Sequence, residues 1–424
     1  MALLAGKIMM RSGAETHRVE DTLQRILGTT NFEHAEAFVF TTGLIVTLSD
    51  PSSETLSLTQ RISGASQNLG RVAEVNNVSR SFCEGKITLD EAMTSLKAIE
   101  NKRQYSDWLS VFGIMLATSG FSLVFGGTFF DALGAIFCGL LLSFINLVIG
   151  PQIKRSFITS VLGAAAVTFG ATVFVYFVGM LTHIEFHSQY MIVGAMMPLV
   201  PGLAFTNAIR DTLYGDYISA GSRLIEAVMI AVSVAIGVAL GMVLCRVAGL
   251  ADLLNFEILL SAHDALSFLR GAFFSAVAIL GFALYFEIPK RYLLPVGAIA
   301  FVSWAIYLTV DFFGLGASAL WVPVWASFFG ALVSHFLAYF CARLLKAPVI
   351  LFLLGGLLPL VPGFGLYKAL YNMIFESEKK SNDLLQTLLI TGAIALAIFV
   401  METVLDVARR IRIYLRKKRG LKKR

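Results

Sequence analysis

Charge is what this sequence has least of. Only 15% of its 424 residues are charged and 57% are hydrophobic, with a mean hydropathy of +0.75, against roughly 25% charged and 45–50% apolar in soluble domains. That scarcity excludes a chain dissolved mainly in water. Cysteine is rarer still. Cys83, Cys138, Cys245 and Cys341 lie far apart, three of them inside apolar segments, so they offer neither a disulfide framework nor a metal-ligand spacing. They read as small hydrophobes. No signal peptide is expected, because Lys7 interrupts the apolar stretch Met1 to Met10 and no cleavage site follows.

Positive charge is present but concentrated. Of the sixteen residues from Arg409 to Arg424, ten are Lys or Arg and none is acidic, so the rest of the chain is net acidic and the pI of about 9.1 belongs to the tail. A basic tail after a hydrophobic helix is a topology anchor held on the cytoplasmic side. It also suits anionic lipid, and no nucleic-acid partner is expected.

Residues 1–106 have ordinary charge density and mixed periodicity, the pattern of a small soluble α+β domain. Ser12-Gly13-Ala14-Glu15 fits a capping box and predicts a helix to about Leu27, with Val19, Leu23 and Ile26 inward. Phe38 and Phe40, then Leu44, Val46 and Leu48, alternate on either side of Gly43, and the turn Asp50-Pro51-Ser52-Ser53 leads to Leu56 and Leu58. These predict strands of one sheet. Leu89, Ala92, Met93, Leu96 and Ile99 recur at helical spacing and predict a helix leading toward the membrane.

From Trp108 onward ten apolar stretches follow, at 108–127, 132–149, 157–181, 189–209, 224–245, 266–288, 292–310, 317–341, 347–375 and 384–408. Each is near the length of about 20 residues that crosses a hydrocarbon core. Lys102/Arg103, Lys154/Arg155, Arg210/Arg223, Lys290/Arg291, Arg343/Lys346 and the tail fall on one side, which the positive-inside rule makes the cytoplasm. Loops near 126–131, 181–190 and 311–317 hold no basic residue, while Arg246, Arg270, Lys379 and Lys380 depart from the pattern. The expectation is a multi-pass protein of the cytoplasmic (inner) cell membrane with both termini cytoplasmic.

Pro198-Leu199-Val200-Pro201-Gly202 recurs letter for letter as Pro359-Leu360-Val361-Pro362-Gly363, 161 positions later. The same shift carries Gly120-Phe121 onto Gly281-Phe282, Leu123 onto Leu284 and Phe125 onto Phe286. One five-helix unit has been duplicated. Because five is odd, the second copy enters from the opposite face, a plan common among secondary transporters. The charges agree: Lys154 and Arg155 correspond to Leu315 and Gly316, and Lys290 and Arg291 to Phe129 and Phe130. The fold class is therefore an α-helical polytopic membrane protein, ten transmembrane helices as two inverted five-helix repeats preceded by a small soluble α+β domain. Its expected parts are a soluble cytoplasmic domain at 1–106, repeat 1 at 107–250, a linker at 251–265, repeat 2 at 266–410 and a basic cytoplasmic tail at 411–424.

A Pro-x-x-Pro-Gly inside a span breaks helical hydrogen bonding, and such backbone survives at membrane depth only when buried in protein or lining a wet cavity. Two identical breaks in antiparallel helices would meet near the midplane. The half-helix N-termini after Gly202 and Gly363 offer N–H groups and partial positive charge to a carboxylate, and the carbonyls ahead of the breaks can accept bonds from an ammonium. The expected substrate-binding residues are Pro198, Pro201, Gly202, Thr206, Asn207, Pro359, Pro362, Gly363, Tyr367 and Lys368.

These residues carry a resemblance to a known family, the threonine/serine exporters (ThrE-like), over nearly the whole chain. It rests on Ser12-Gly13-Ala14-Glu15-Thr16 with Arg18-Val19-Glu20-Asp21-Thr22, on Val75-Asn76 and Ser79-Arg80, and on the first proline motif with Asn207, Arg210-Asp211 and Gly215-Asp216. Val361 to Gly363 followed by Tyr367 resembles the smaller partner subunit that some members carry as a separate chain, here fused. The resemblance implies efflux of threonine and serine driven by the proton motive force, a cytoplasmic N-terminal domain and no organic cofactor. The expected partners are a small-molecule substrate, protons and membrane lipids, with homo-oligomerisation left open. Broken helices suit any small carboxylate, so the alternative function is export of small organic acids such as dicarboxylates.

Ionisable groups in spans cost roughly 2.5–3.5 kcal/mol each on insertion scales, and Asp211, Glu226, His335 and Glu402 are the candidates for proton coupling. Each has a structural alternative. Arg223 lies one turn before Glu226, Arg210 adjoins Asp211, and Arg409 and Arg410 can neutralise Glu402 and Asp406, which lie one turn apart near the basic helix end. His335 has the unperturbed pKa near 6.5 that suits proton traffic, but a hydrogen-bonded core histidine has the same appearance. An enzymatic N-terminal domain with Ser12 as nucleophile and His17 and Asp21 nearby is disfavoured, because Ser12 is read as a cap and a helix places His17 poorly for proton transfer. His17 and Asp21 make at most half a metal site, so neither catalytic nor metal-binding residues are expected.

Overall fold

The computed structural model of the chain describes residues 1–30, 32–51, 53–64, 67–153, 155–253, 265–314, 318, 320–362, 365 and 382–421. The N-terminal part opens with α1 (Ala2–Arg11) and α2 (Thr16–Leu27). The segment between them corrects one expectation: Ser12 does not begin a helix but ends one. The N–H of Gly13 bonds the carbonyl of Met10 at 3.3 Å and that of Ala14 bonds Met9 at 3.1 Å, with Gly13 at φ 89°. This is a Schellman C-terminus, which needs a residue without Cβ at the left-handed position. The capping box is absent, since Glu15 precedes α2 with no side-chain cap bond, and the Ser12 hydroxyl is buried without a partner.

α2 buries Val19, Leu23 and Ile26, as its spacing predicts. They face an antiparallel sheet of β1 (His34–Phe40), β2 (Gly43–Asp50) and β3 (Ser53–Arg61), in that order. Val39, Leu44 and Val46 supply its buried face. α3 (Leu69–Cys83) and α4 (Leu89–Glu100) complete this part. A capping box does occur at α4, between Thr88 and Glu91.

The rest of the chain is helical: α5 (Asp107–Val124), α6 (Phe129–Phe144) running through a π-turn at Ile145–Ile149 into α7 (Gly150–Ile153), α8 (Ser156–Thr182), α9 (Ser188–Met196), α10 (Gly202–Leu213), α11 (Tyr217–Val247), α12 (Ala265–Tyr285), α13 (Leu293–Phe312), α14 (Val322–Leu345), α15 (Val349–Leu357) and α16 (Asn382–Leu421). Among the described residues eight helices are long and apolar enough to cross a membrane, and a ninth span results if the bent pair Ser188–Leu199 and Ala204–Leu213 is one crossing. The protein is a polytopic helical membrane protein. Much of the expected ninth stretch, 347–375, lies outside the described residues. α16 runs past its expected end at 408 to Leu421, so most of the basic tail continues the last helix.

α5 and α12 pack through small residues, the device that lets membrane helices approach closely. A Cβ built on Gly120 would stand 2.8 Å from Ala278, and one on Gly281 would stand 2.5 Å from the backbone N of Ala117. Those two contacts exchange under the shift of 161 positions. Phe121 meets Phe282 edge to face with centroids 5.7 Å apart, and Phe121–Phe125 is mirrored by Phe282–Phe286.

The N-terminal part is seated on the turn after α12. Leu69 N–H donates to Phe286 O at 2.9 Å, Asn68 Nδ2 and Gln104 N–H both donate to Glu287 Oε2 at 2.7 Å, and Tyr105 Oη donates to Ile288 O at 2.7 Å. Gly70 permits the approach, since a Cβ there would fall 2.5 Å from Glu287 O.

Candidate functional site

The first proline motif interrupts its helix. Pro198 enters a 3-10 turn at Met197–Leu199, Val200 is extended at ψ 133° as a residue before proline prefers, and the helix resumes at Gly202. The flanking segments bend by 50°. Gly202 N–H donates to Val200 O at 2.8 Å. A Cβ on Gly202 would lie 2.8 Å from Leu358 Cδ2, so the first break touches the chain just ahead of the second.

The second motif ends α15 in a turn, with Leu360 and Val361 N–H groups both donating to Leu357 O at 2.9 Å. Pro201 and Pro362 line one cavity of about 100 Å³ together with Val200, Val361, Phe205, Thr387 and Thr391. The walls are otherwise apolar. Pro198 and Pro359 stand in the turns before the cavity, and Gly363, Tyr367 and Lys368 lie outside the described residues. Thr206 Oγ1 is occupied by Gly202 O at 2.8 Å.

Beyond the break, Asn207, Arg210, Asp211 and Tyr214 share one face of α10, because residues three and four apart on a helix stack above one another. That face meets the segment from Ser12 to His17. Asn207 Nδ2 donates to Gly13 O at 3.2 Å, Arg223 Nη2 to Ala14 O at 2.8 Å, and Thr16 Oγ1 to Asp211 Oδ2 at 3.3 Å. Arg223 Nε also holds Asp211 Oδ2 at 2.9 Å. The Arg210 guanidinium is shared between two carboxylates, Nη1 on Glu15 and Nη2 on Glu402, the latter at 2.9 Å. His335 Nε2 stands 3.9 Å from the same Glu402 oxygen, and His17 stacks on Tyr214 with centroids 4.1 Å apart.

Three of the four titratable candidates, Asp211, His335 and Glu402, are thus gathered into one buried ionic cluster. Glu226 is exposed and apart from it. The local pairings expected for Arg223 with Glu226 and for Arg210 with Asp211 are replaced by longer-range ones, Arg223 with Asp211 and Arg210 with Glu15 and Glu402. The three carboxylates, Glu15, Asp211 and Glu402, face the guanidiniums of Arg210 and Arg223, with that of Arg18 close to Glu15, and such pairing is what lets ions persist under burial. It is not saturated in hydrogen bonds. Ser12 Oγ, Asn207 Oδ1, Arg210 Nε, Asp211 Oδ1, Ser219 Oγ and His335 Nδ1 are buried without a protein partner, and such groups in a native structure call for an explanation.

Sequence reasoning did not assign Glu15, Arg210, Tyr214 or Arg223 to the site, nor Thr387 and Thr391 to the cavity. The 207/210/211/214 spacing was the signal for one polar face on an apolar helix. No local signal marks Glu15 as its partner.

Residues 1–245 match the family model described as "Putative threonine/serine exporter", and residues 271–404 match that described as "Threonine/Serine exporter, ThrE". A protein of Mycobacterium tuberculosis (strain ATCC 25618 / H37Rv) named "Probable threonine/serine exporter" is 22% identical over 413 residues, covering 94% of this chain and 74% of its own. No solved structure matches.

Proposed function

Because the chain belongs to the threonine/serine exporter family, we propose that it exports threonine and serine across the cytoplasmic membrane by proton-coupled alternating access, with substrate held between the two proline breaks. The observation that carries this reading is that Pro201 and Pro362, one from each copy of a duplicated motif, line the same cavity. Its apolar wall with Thr387 and Thr391 suits a small side chain bearing one hydroxyl. The ionic face of α10, one to two turns further along, suits the carboxylate and ammonium.

The contacts of α5 with α12, which exchange under the 161-position shift, support two inverted five-helix repeats and ten spans, with the basic loop residues and both termini on the cytoplasmic side. The N-terminal α+β part is then a cytoplasmic domain resting on the turn at Phe286–Ile288.

Coupling follows from the shared guanidinium. While Glu402 is ionised it holds Arg210. A proton arriving from outside on Glu402, relayed by His335, cancels that attraction and frees Arg210 to move. Asp211 stands in the same relation to Arg223. Transport and proton entry thus use one cluster.

Uptake of radiolabelled L-threonine, L-serine and succinate into everted vesicles, with and without a pH gradient, tests the reading. Accumulation of the two amino acids that collapses with the gradient supports it. Gradient-driven uptake of succinate alone overturns it in favour of organic-acid export.

A further inference from the structure

Arg210 is buried on the cavity-bearing helix with its two terminal nitrogens on different carboxylates. One of them, Glu402, belongs to the membrane helices. The other, Glu15, is nearly fully buried yet is carried in from outside them, on the short linker between α1 and α2. That linker and the first residue of α2 present further substrate-like groups to α10 and α11: the Gly13 carbonyl is taken by Asn207 on α10 and the Ala14 carbonyl by Arg223 on α11, and the Thr16 hydroxyl by Asp211 on α10. A carboxylate and a hydroxyl two or three bonds from a peptide backbone are the polar groups of a hydroxy amino acid, delivered here by the chain itself.

A second observation is independent of the linker's own contacts. Asn207 Oδ1, Asp211 Oδ1 and Arg210 Nε are buried and unpartnered around it, two acceptors and one donor beyond what the linker satisfies. An ammonium donates to acceptors of that kind, and a carboxylate accepts from a guanidinium in bidentate fashion. Glu15 meets only one terminal nitrogen of Arg210, so its hold is not that bidentate fork.

We propose that Arg210 is a carboxylate-binding residue of the transport site and that Glu15 is its tethered competitor, which the carboxylate of the substrate displaces. The amino-acid identity of that substrate rests on the exporter reading above. The carboxylate site rests on the geometry. Displacing Glu15 frees the 12–16 linker from Asn207, Asp211 and Arg223, so the N-terminal part acts as the gate on its own side of the membrane and opens in exchange for substrate. A competitor seated about 90% of the time weakens apparent affinity about tenfold.

The test is binding to the full-length protein in nanodiscs, with L-threonine, succinate and the carboxylate-free L-threoninol as probes. Glu15→Gln removes the competing charge and should tighten L-threonine about tenfold while leaving L-threoninol unchanged. Glu15→Asp, which keeps the charge but shortens its reach, should show a smaller gain and guards against misfolding of the first variant. Arg210→Gln should abolish binding in either background, and L-threonine should speed hydrogen exchange across residues 12–17 of the wild type. Unchanged or weaker L-threonine binding by folded Glu15→Gln, or by Glu15→Asp if only that variant folds, overturns the proposal and leaves the exporter reading standing. Binding of succinate but not L-threonine, with the same gain, supports the carboxylate site and contradicts the exporter substrate. Failure of every probe to bind Glu15→Gln overturns the proposal too.

Discussion

Phe121 and Phe282 meet edge to face with ring centroids 5.7 Å apart, and they are separated by the 161 positions that superimpose the two proline motifs. A residue that touches its own counterpart lies beside a two-fold axis. The exchanged pair Gly120 with Ala278 and Ala117 with Gly281 flanks it at backbone distance, so the contact supports the duplication reading with geometry that the letters alone do not contain.

That interface gives the first prediction. Gly281→Leu would push a side chain into the backbone of Ala117 and Gly113, where nothing flexible yields, and overpacking of this kind costs about 1–3 kcal/mol or more. Gly221→Ala has open space around it and serves as control. In detergent, thermal denaturation should drop by several degrees for the first and stay within error for the second. Equal stability of both would show that the close approach is not required.

Ser12→Ala should leave stability within about 0.5 kcal/mol of wild type. Its hydroxyl caps no helix and has no partner in its buried site, so deleting it removes no bond. A loss near the 1 kcal/mol typical of a missing N-cap, measured by thermal unfolding, would restore the capping reading.

Arg223→Gln strands the Asp211 carboxylate in a buried site, and breaking one side of a buried pair costs about 3–5 kcal/mol. Asp211→Asn in the same chain should recover much of that loss. A double-mutant cycle by chemical denaturation in detergent reads the coupling, and strictly additive effects would show that the two side chains do not interact.

Much of the scaffold was legible because its signals are local. Val19, Leu23 and Ile26 at helical spacing, Leu44 and Val46 at strand alternation, and long apolar runs between charged loops each declare an element within a dozen residues, although on β1 the alternation was read on Phe38 and Phe40 while the structure buries Val39 and leaves Phe38 exposed. The break at Pro198 to Gly202 was legible for the same reason, since two prolines and a glycine act on their own backbone. The ionic cluster was not. Local rules paired Arg223 with Glu226, Arg210 with Asp211 and Ser12 with Glu15, whereas the observed partners of Arg210 are 195 and 192 positions away. Burial decides among such pairings, because a charge removed from water must find an opposite charge wherever the fold brings one. The Ser12 error has the same root: Gly13 at positive φ terminates α1, and α1 is held by burial of Ala5, Ile8 and Met9 rather than by any periodic polar face.

Asp131 caps α6, accepting from Thr128 N–H and Oγ1 at 2.8 Å and from His187 N–H at 2.7 Å. It therefore ties the start of α6 to the start of α9 while remaining fully buried. Asp131→Ala leaves those donors unpaired and should cost about 1–3 kcal/mol, seen as a lower unfolding temperature. Asp131→Asn keeps an acceptor and should cost less. Identical losses in the two variants would show that the hydrogen bonds are not what stabilises this end.

The claim that the two proline breaks together form the substrate site is tested most directly by counterflow of radiolabelled L-threonine in proteoliposomes. Pro201→Ala/Gly202→Leu restores helix at the first break and drives a side chain toward Leu358; Pro362→Ala/Gly363→Leu alters the other wall of the shared cavity. Neither adds charge, so both should insert and purify like wild type. The account predicts that each double variant, well folded, loses nearly all counterflow and L-threonine binding. Normal counterflow by either one would reduce that break to a kink and contradict the account.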